Sequence, residues 1–180
     1  MDQNITLLVI LLVIGVSFYH SFYCYTGNNT VSNILCDSKI NDLIIFLVII
    51  LGLSHFFYEM NNNDMISILL ICLLYINLYG LTIKNEDYVI HYIFCIIVFM
   101  SLLLFMLRQY YIVEFDYILL SSLVLEIVMG IYLFYMILKF FMKGMKIKIN
   151  IFFLELFYIF NFVFFIVWLH FIKKYRYISV

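Results

Sequence analysis

Two carboxyl groups fall where water is scarce. Glu126 stands about ten residues into one long apolar run, and Glu155 about five residues into the next. An ionisable side chain inside a membrane costs several kcal/mol unless it is partnered, so such residues are the first places to look for function. Ser122 lies one turn before Glu126 and Gly130 one turn after it, which puts all three on one face of a helix. A small, polar stripe in an otherwise Leu/Ile/Val helix suits packing against a neighbour with the carboxyl turned inward. There it can accept and release a proton if a basic partner or a water chain reaches it. The plainer alternative is a protonated acid hydrogen-bonded across a helix pair. Glu155 lies nearer the end of its run, where its carboxyl can also reach headgroups or water.

The remaining chemistry-bearing residues form no comparable pattern. His20, His55, His91 and His170 fall near the ends of apolar runs, whereas a membrane haem needs axial ligands that face each other across a bundle. His55 and Glu59 are spaced i, i+4, but two ligands do not make a metal site. Cys24, Cys36, Cys72 and Cys95 show no metal-ligand spacing. Cys72 and Cys95 lie within apolar runs as small hydrophobes, while Cys24 and Cys36 flank a polar segment and could pair in an oxidising space. Asn77 and Asn161 read as interhelical hydrogen-bonders. The glycosylation patterns at Asn4 and Asn28 are the chance matches an asparagine-rich chain produces. No nucleophile elbow, phosphate loop or dinucleotide fingerprint is present. No bound cofactor and no metal are expected.

The elements that must hold these residues are membrane helices. Of 180 residues, 67% are hydrophobic and 12% charged, with a mean hydropathy of +1.13. A soluble domain is about half apolar and a quarter charged, so lipid must be the solvent over most of this surface. Six apolar runs of spanning length cover residues 5–23, 42–58, 65–83, 88–107, 117–138 and 151–172. They are continuous and about twice as long as barrel strands, which alternate, so the expected fold is an all-α, polytopic transmembrane bundle of about six spans. The first run lacks a basic leader and a small-residue cleavage site and reads as a retained helix. Residues 26–42 are expected to form a loop and 59–64 a tight polar turn whose Asp64 caps the next helix. Residues 108–116 are expected to form a link whose Asp116 caps the fifth. The net charge of −1, with no basic stripe, argues against nucleic-acid binding. Alanine and proline are absent and arginine occurs only at Arg108 and Arg176, while Phe, Tyr, Ile, Leu and Asn abound. Helix physics does not favour losing alanine. GC-rich codons are what the depleted residues share, which points to an AT-rich genome of an organelle, a parasite or a large DNA virus.

The stretch Leu120-Ser121-Ser122-Leu123-Val124-Leu125-Glu126-Ile127-Val128-Met129 resembles the second helix of subunit 4L of respiratory complex I, the NADH:ubiquinone oxidoreductase. That family is a three-helix chain whose second and third helices each carry a buried glutamate used in proton translocation. The resemblance implies that residues 88–180 supply the three helices, with Arg108 as the basic residue between the first two. Glu126 and, less closely placed, Glu155 would be the proton-relay pair. Residues 1–87 would be an N-terminal extension of three helices. It further implies a mitochondrial inner-membrane protein that binds no redox cofactor itself and has lipids and other hydrophobic subunits as its partners. The alternatives are a structural subunit of ATP synthase or cytochrome oxidase, or a stand-alone channel, transporter or viral membrane protein.

Overall fold

The computed structural model describes residues 3–27, 30–35, 41–60, 62, 64–83, 89–113, 115–143 and 150–176. Among them all regular structure is helical: α1 (Gln3–Tyr23), α2 (Val31–Leu35), α3 (Asn41–Met60), α4 (Met65–Ile83), α5 (Val89–Ile112), α6 (Tyr117–Lys143) and α7 (Asn150–Arg176). Six of the helices, all except α2, are long and apolar enough to cross a membrane. Each span buries only between 28% and 44% of its residues in the bundle. The rest, such as Leu12, Ile76 and Ile131, are large apolar side chains facing outward. A helix that is apolar all round but buried on one side needs lipid on the other. The chain is a multi-pass membrane protein.

Consecutive spans run in opposite directions and pack as neighbours, α1 on α3, α3 on α4, α4 on α5, α5 on α6 and α6 on α7, with α7 returning to α1. One face of the bundle therefore collects the start of α1, the end of α3, the start of α4, the end of α5, the start of α6 and the end of α7. Hydrogen bonds stitch this first face: Gln3 donates to Asn62 over 3.4 Å, Asn4 pairs with His170 at 3.2 Å, and Trp168 donates to Asp116 over 3.1 Å. Asp64 and Asp116 cap their helices as expected, accepting from the backbone N–H of Ser67 and from those of Ile118 and Leu119. The core between the helices includes Tyr58, Phe105, Met106 and Phe165. The boundary near residue 88 does not break the packing, since α4 and α5 on either side of it lie against each other.

Three expectations need correction. Residues 31–35 form α2 within the segment read as loop, because buried Val31 and Ile34 dock on Phe152 and Leu156 of α7. Glu59 belongs to the last turn of α3, and the turn begins after it. Arg108 and Gln109 lie inside α5 near its end, and the helix runs on to Ile112 because each side chain finds a polar partner at the first face.

The close approach of α4 and α5 depends on Gly80. A Cβ there would meet the Phe94 ring at 2.9 Å, whereas one at Gly15 meets nothing within 4 Å. Gly80→Val is therefore expected to cost about 1–3 kcal/mol through overpacking, and Gly15→Val to leave stability near that of the parent chain. Unfolding in detergent checks this, and equal effects of the two changes would contradict it.

Candidate functional site: a carboxyl group between α6 and α7

The stripe Ser122, Glu126 and Gly130 faces α7. Ser122 Oγ donates to Asn161 Oδ1 over 2.9 Å, and Asn161 Nδ2 donates to the Ser122 carbonyl at 2.9 Å and to Glu126 Oε2 at 2.6 Å. One turn on, the Tyr158 ring lies over Gly130, where a Cβ would sit 3.4 Å from it, and the Tyr158 hydroxyl donates to the Phe99 carbonyl of α5 over 2.9 Å. The 3.4 Å separation is ordinary van der Waals contact, so the approach of α7 to α6 here does not depend on the missing side chain.

Glu126 is fully buried. It is the tenth residue of α6, so a rise of 1.5 Å per residue places it about 14 Å from the first face, near mid-bilayer. Its Oε2 is held by Asn161, while Oε1 has no hydrogen-bond partner. No ion pair involving Glu126 occurs among the described residues. An ionised carboxyl without a cation is costly in hydrocarbon. Oε1 is consequently the atom at which a proton can be held, and at which a water or donor could meet it. This arrangement can store and transfer a proton; it offers no nucleophile, no paired acid and base and no metal cradle. Among the described residues no group of three or more His, Cys, Asp or Glu could hold a metal ion. The cavity of about 530 Å³ between α5 and α6, which Tyr158 lines with Phe99, Met100 and Ile131, is almost wholly apolar and supplies nothing to orient a polar substrate.

Glu155 is buried too, in different company. Its Oε2 accepts from the Val31 backbone N–H over 2.7 Å, and the Ser32 amide and hydroxyl also bond to it. Its carboxyl caps the short helix α2 at the opposite face and is not brought together with Glu126. Asn77, expected to bond between helices, donates instead to Leu73 of its own helix over 2.7 Å. Cys36 and the glycosylation pattern at Asn28 lie outside the described residues, and Asn4 is engaged with His170.

Sequence reasoning missed a second buried polar network at the first face. Glu59, Ser67 and Gln109 are all fully buried. Gln109 Nε2 donates to Glu59 Oε2 over 3.1 Å and to Ser67 Oγ over 2.7 Å, Ser67 Oγ bonds to Asp64, and Arg108 closes on Asp64 at 2.8 and 3.0 Å. His55 is buried one turn deeper, with Nδ1 3.2 Å from the Tyr75 hydroxyl and Nε2 unpartnered. The only available signal was the recurrence of polar residues at helical spacing (Glu59 after His55, Asp64 before Ser67), which terminal residues show whether or not they are buried.

The Arg108 guanidinium, aided by Ser67, holds the Asp64 carboxyl well below the usual carboxylate range, at about 2. Because the folded value is depressed, the stabilisation is fully present above the unfolded value near about 3.9 and is lost as pH falls through about 2. The stability difference between the parent chain and Asp64→Asn should hold steady from neutral pH to about 4 and shrink below it. Unfolding titrations measure this, and a difference that grows on acidification would contradict it.

Compared with known proteins, the chain matches no family model, no curated protein and no solved structure.

Proposed function

We propose that this chain is a proton-handling subunit of a membrane complex, with Glu126 as the group that takes up and releases the proton. The observation that carries this reading is one oxygen of a fully buried, mid-bilayer carboxyl left without a partner, while the other is fixed by Asn161. A carboxyl used only as a helix clasp has no need of a spare buried oxygen, since leaving one unsatisfied costs stability. The setting we propose is the membrane arm of mitochondrial NADH:ubiquinone oxidoreductase. The resemblance around Glu126 and the placement of Arg108 at the end of the preceding helix both support it. In that setting Glu126 carries the relay and binds no redox cofactor. Glu155, turned towards α2, holds the opposite face of the bundle around the path and lies off the direct line.

One observation favours a structural subunit of another inner-membrane assembly instead: Asn161 alone ties Ser122 and Glu126 across α6 and α7, as a clasp would. Native gel electrophoresis of solubilised membranes separates the two. The proposed setting requires this chain to migrate with NADH dehydrogenase activity. Migration with another assembly, or alone, rejects that setting and leaves the proton chemistry of Glu126 to be tested on its own.

A further inference from the structure

The buried polar network at the first face continues inward. Glu59 lies fully buried in the last turn of α3, and Gln109 and Asn62 both donate to its Oε2 over 3.1 Å. The adjoining Asp64–Arg108 pair carries the network to the surface, with side chains 12% and 28% exposed. His55 is spaced i, i+4 from Glu59, so its imidazole stands one turn deeper on the same side of α3. Five residues from the helix end, at about 1.5 Å each, put it about 8 Å below the first face, on the way to the depth of Glu126. The ring is 1% exposed, with Nδ1 3.2 Å from the Tyr75 hydroxyl and Nε2 without a hydrogen-bond partner. Burying that nitrogen unsatisfied costs stability, and the Phe105 and Phe162 rings beside it, at 5.4 and 6.2 Å between centroids, offer it no donor. Phe162 follows Asn161, which holds Glu126 Oε2, so His55 packs against the very turn of α7 that grips the carboxyl. The opposite direction is apolar. Beyond Glu126 the next buried residues of α6 are Met129 and Leu133, and the Tyr158 hydroxyl is committed to the Phe99 carbonyl.

We infer that protons reach Glu126 from the first face, with Glu59 as the entry group and His55 as the carrier between the two carboxyls. This rests on the reading of Glu126 as the exchanging group and adds the side and the route of its loading. With Nδ1–H donated to the Tyr75 oxygen, His55 Nε2 presents its lone pair. The Glu59 carboxylate takes up a proton at the first face and yields it to Nε2, forming the imidazolium. Nε2 then yields it to the ionised Glu126 carboxyl, each hop being direct or through one water. Glu59 ends as the carboxylate and His55 as the neutral ring, so one proton has moved inward and only O–H and N–H bonds have changed. Gln109 carries no proton: its bonds to Glu59 and Ser67 hold the entry carboxyl in place, while Arg108 matches the charge of Asp64.

Moving the full chain, in lipid vesicles, into heavy water and timing the infrared shift of the Glu126 carboxylic-acid band tests the route. His55→Phe, which keeps a ring of similar size, should slow the shift about tenfold or more. Glu59→Gln should do the same, and its carbonyl oxygen can still accept from Gln109 and Asn62. Tyr158→Phe, on the far side of Glu126, should leave the rate unchanged. Nitrogen NMR of the histidine-labelled wild-type chain, which needs no variant to fold, should find His55 protonated at Nδ1 and bare at Nε2. Exchange at the wild-type rate in His55→Phe or Glu59→Gln, equal slowing by Tyr158→Phe, or a proton resident on Nε2 would each overturn the route and leave Glu126 as the exchanging group. A wild-type band that never shifts overturns both.

Discussion

On the proposed function, Glu126→Gln should assemble normally and lose coupled proton translocation by about a hundredfold, the low end of what a positioned acid–base group contributes. Glutamine keeps the length and the planar head of glutamate, and its carbonyl oxygen can still accept from Asn161 Nδ2, as Glu126 Oε2 does at 2.6 Å. Only the exchangeable proton is lost. In the proposed respiratory setting the measurement is NADH-driven proton uptake by membrane vesicles, with the amount of assembled complex read from a native gel of the same preparation. Assembly with translocation lost assigns the proton to Glu126. Assembly with translocation intact leaves the carboxyl as a clasp between α6 and α7.

Asn161→Leu carries the largest expected effect on stability. It removes three bonds across α6 and α7: those to the Ser122 carbonyl and Glu126 Oε2, and the one accepted from Ser122 Oγ. Interhelical hydrogen bonds in membranes are each worth about 0.6–2 kcal/mol, and buried groups left unpaired add to the cost. The expected loss is about 2–4 kcal/mol. Asn77→Leu is the internal comparison, because Asn77 bonds only within its own helix; it should cost about 1 kcal/mol or less. Unfolding of the two variants in detergent ranks them. An Asn77→Leu effect equal to or above that of Asn161→Leu would contradict the clasp described between α6 and α7.

The six spans were legible because apolar runs of this length have few other solutions, and the structure keeps their positions to within a few residues. Glu126 was legible for the same reason, as a charge far from any end, and its i, i+4 companions Ser122 and Gly130 named the face that packs. What sits opposite that face was not fully legible. Asn161 and Asn77 look alike in sequence, each a lone amide in an apolar helix, and only packing decides that one reaches across while the other turns back. Glu59, Arg108 and Gln109 were placed in links because polar residues at the ends of runs normally meet water. Here Gln109 bonds Glu59 and Arg108 bonds Asp64, which caps α4, and the helices extend to include all three. The short helix α2 escaped notice because five residues carry too little periodicity, and the carboxyl that caps its start lies 124 residues away.

The proposed role of Glu126 requires its carboxyl to exchange its hydrogen. Infrared spectroscopy of the purified chain in lipid, compared between ordinary and heavy water and between wild type and Glu126→Gln, tests it most directly. A carboxylic-acid band that shifts in heavy water in the wild type and is missing from the variant is the result expected. A spectrum with no band sensitive to position 126, or with one that heavy water leaves unmoved, would contradict it.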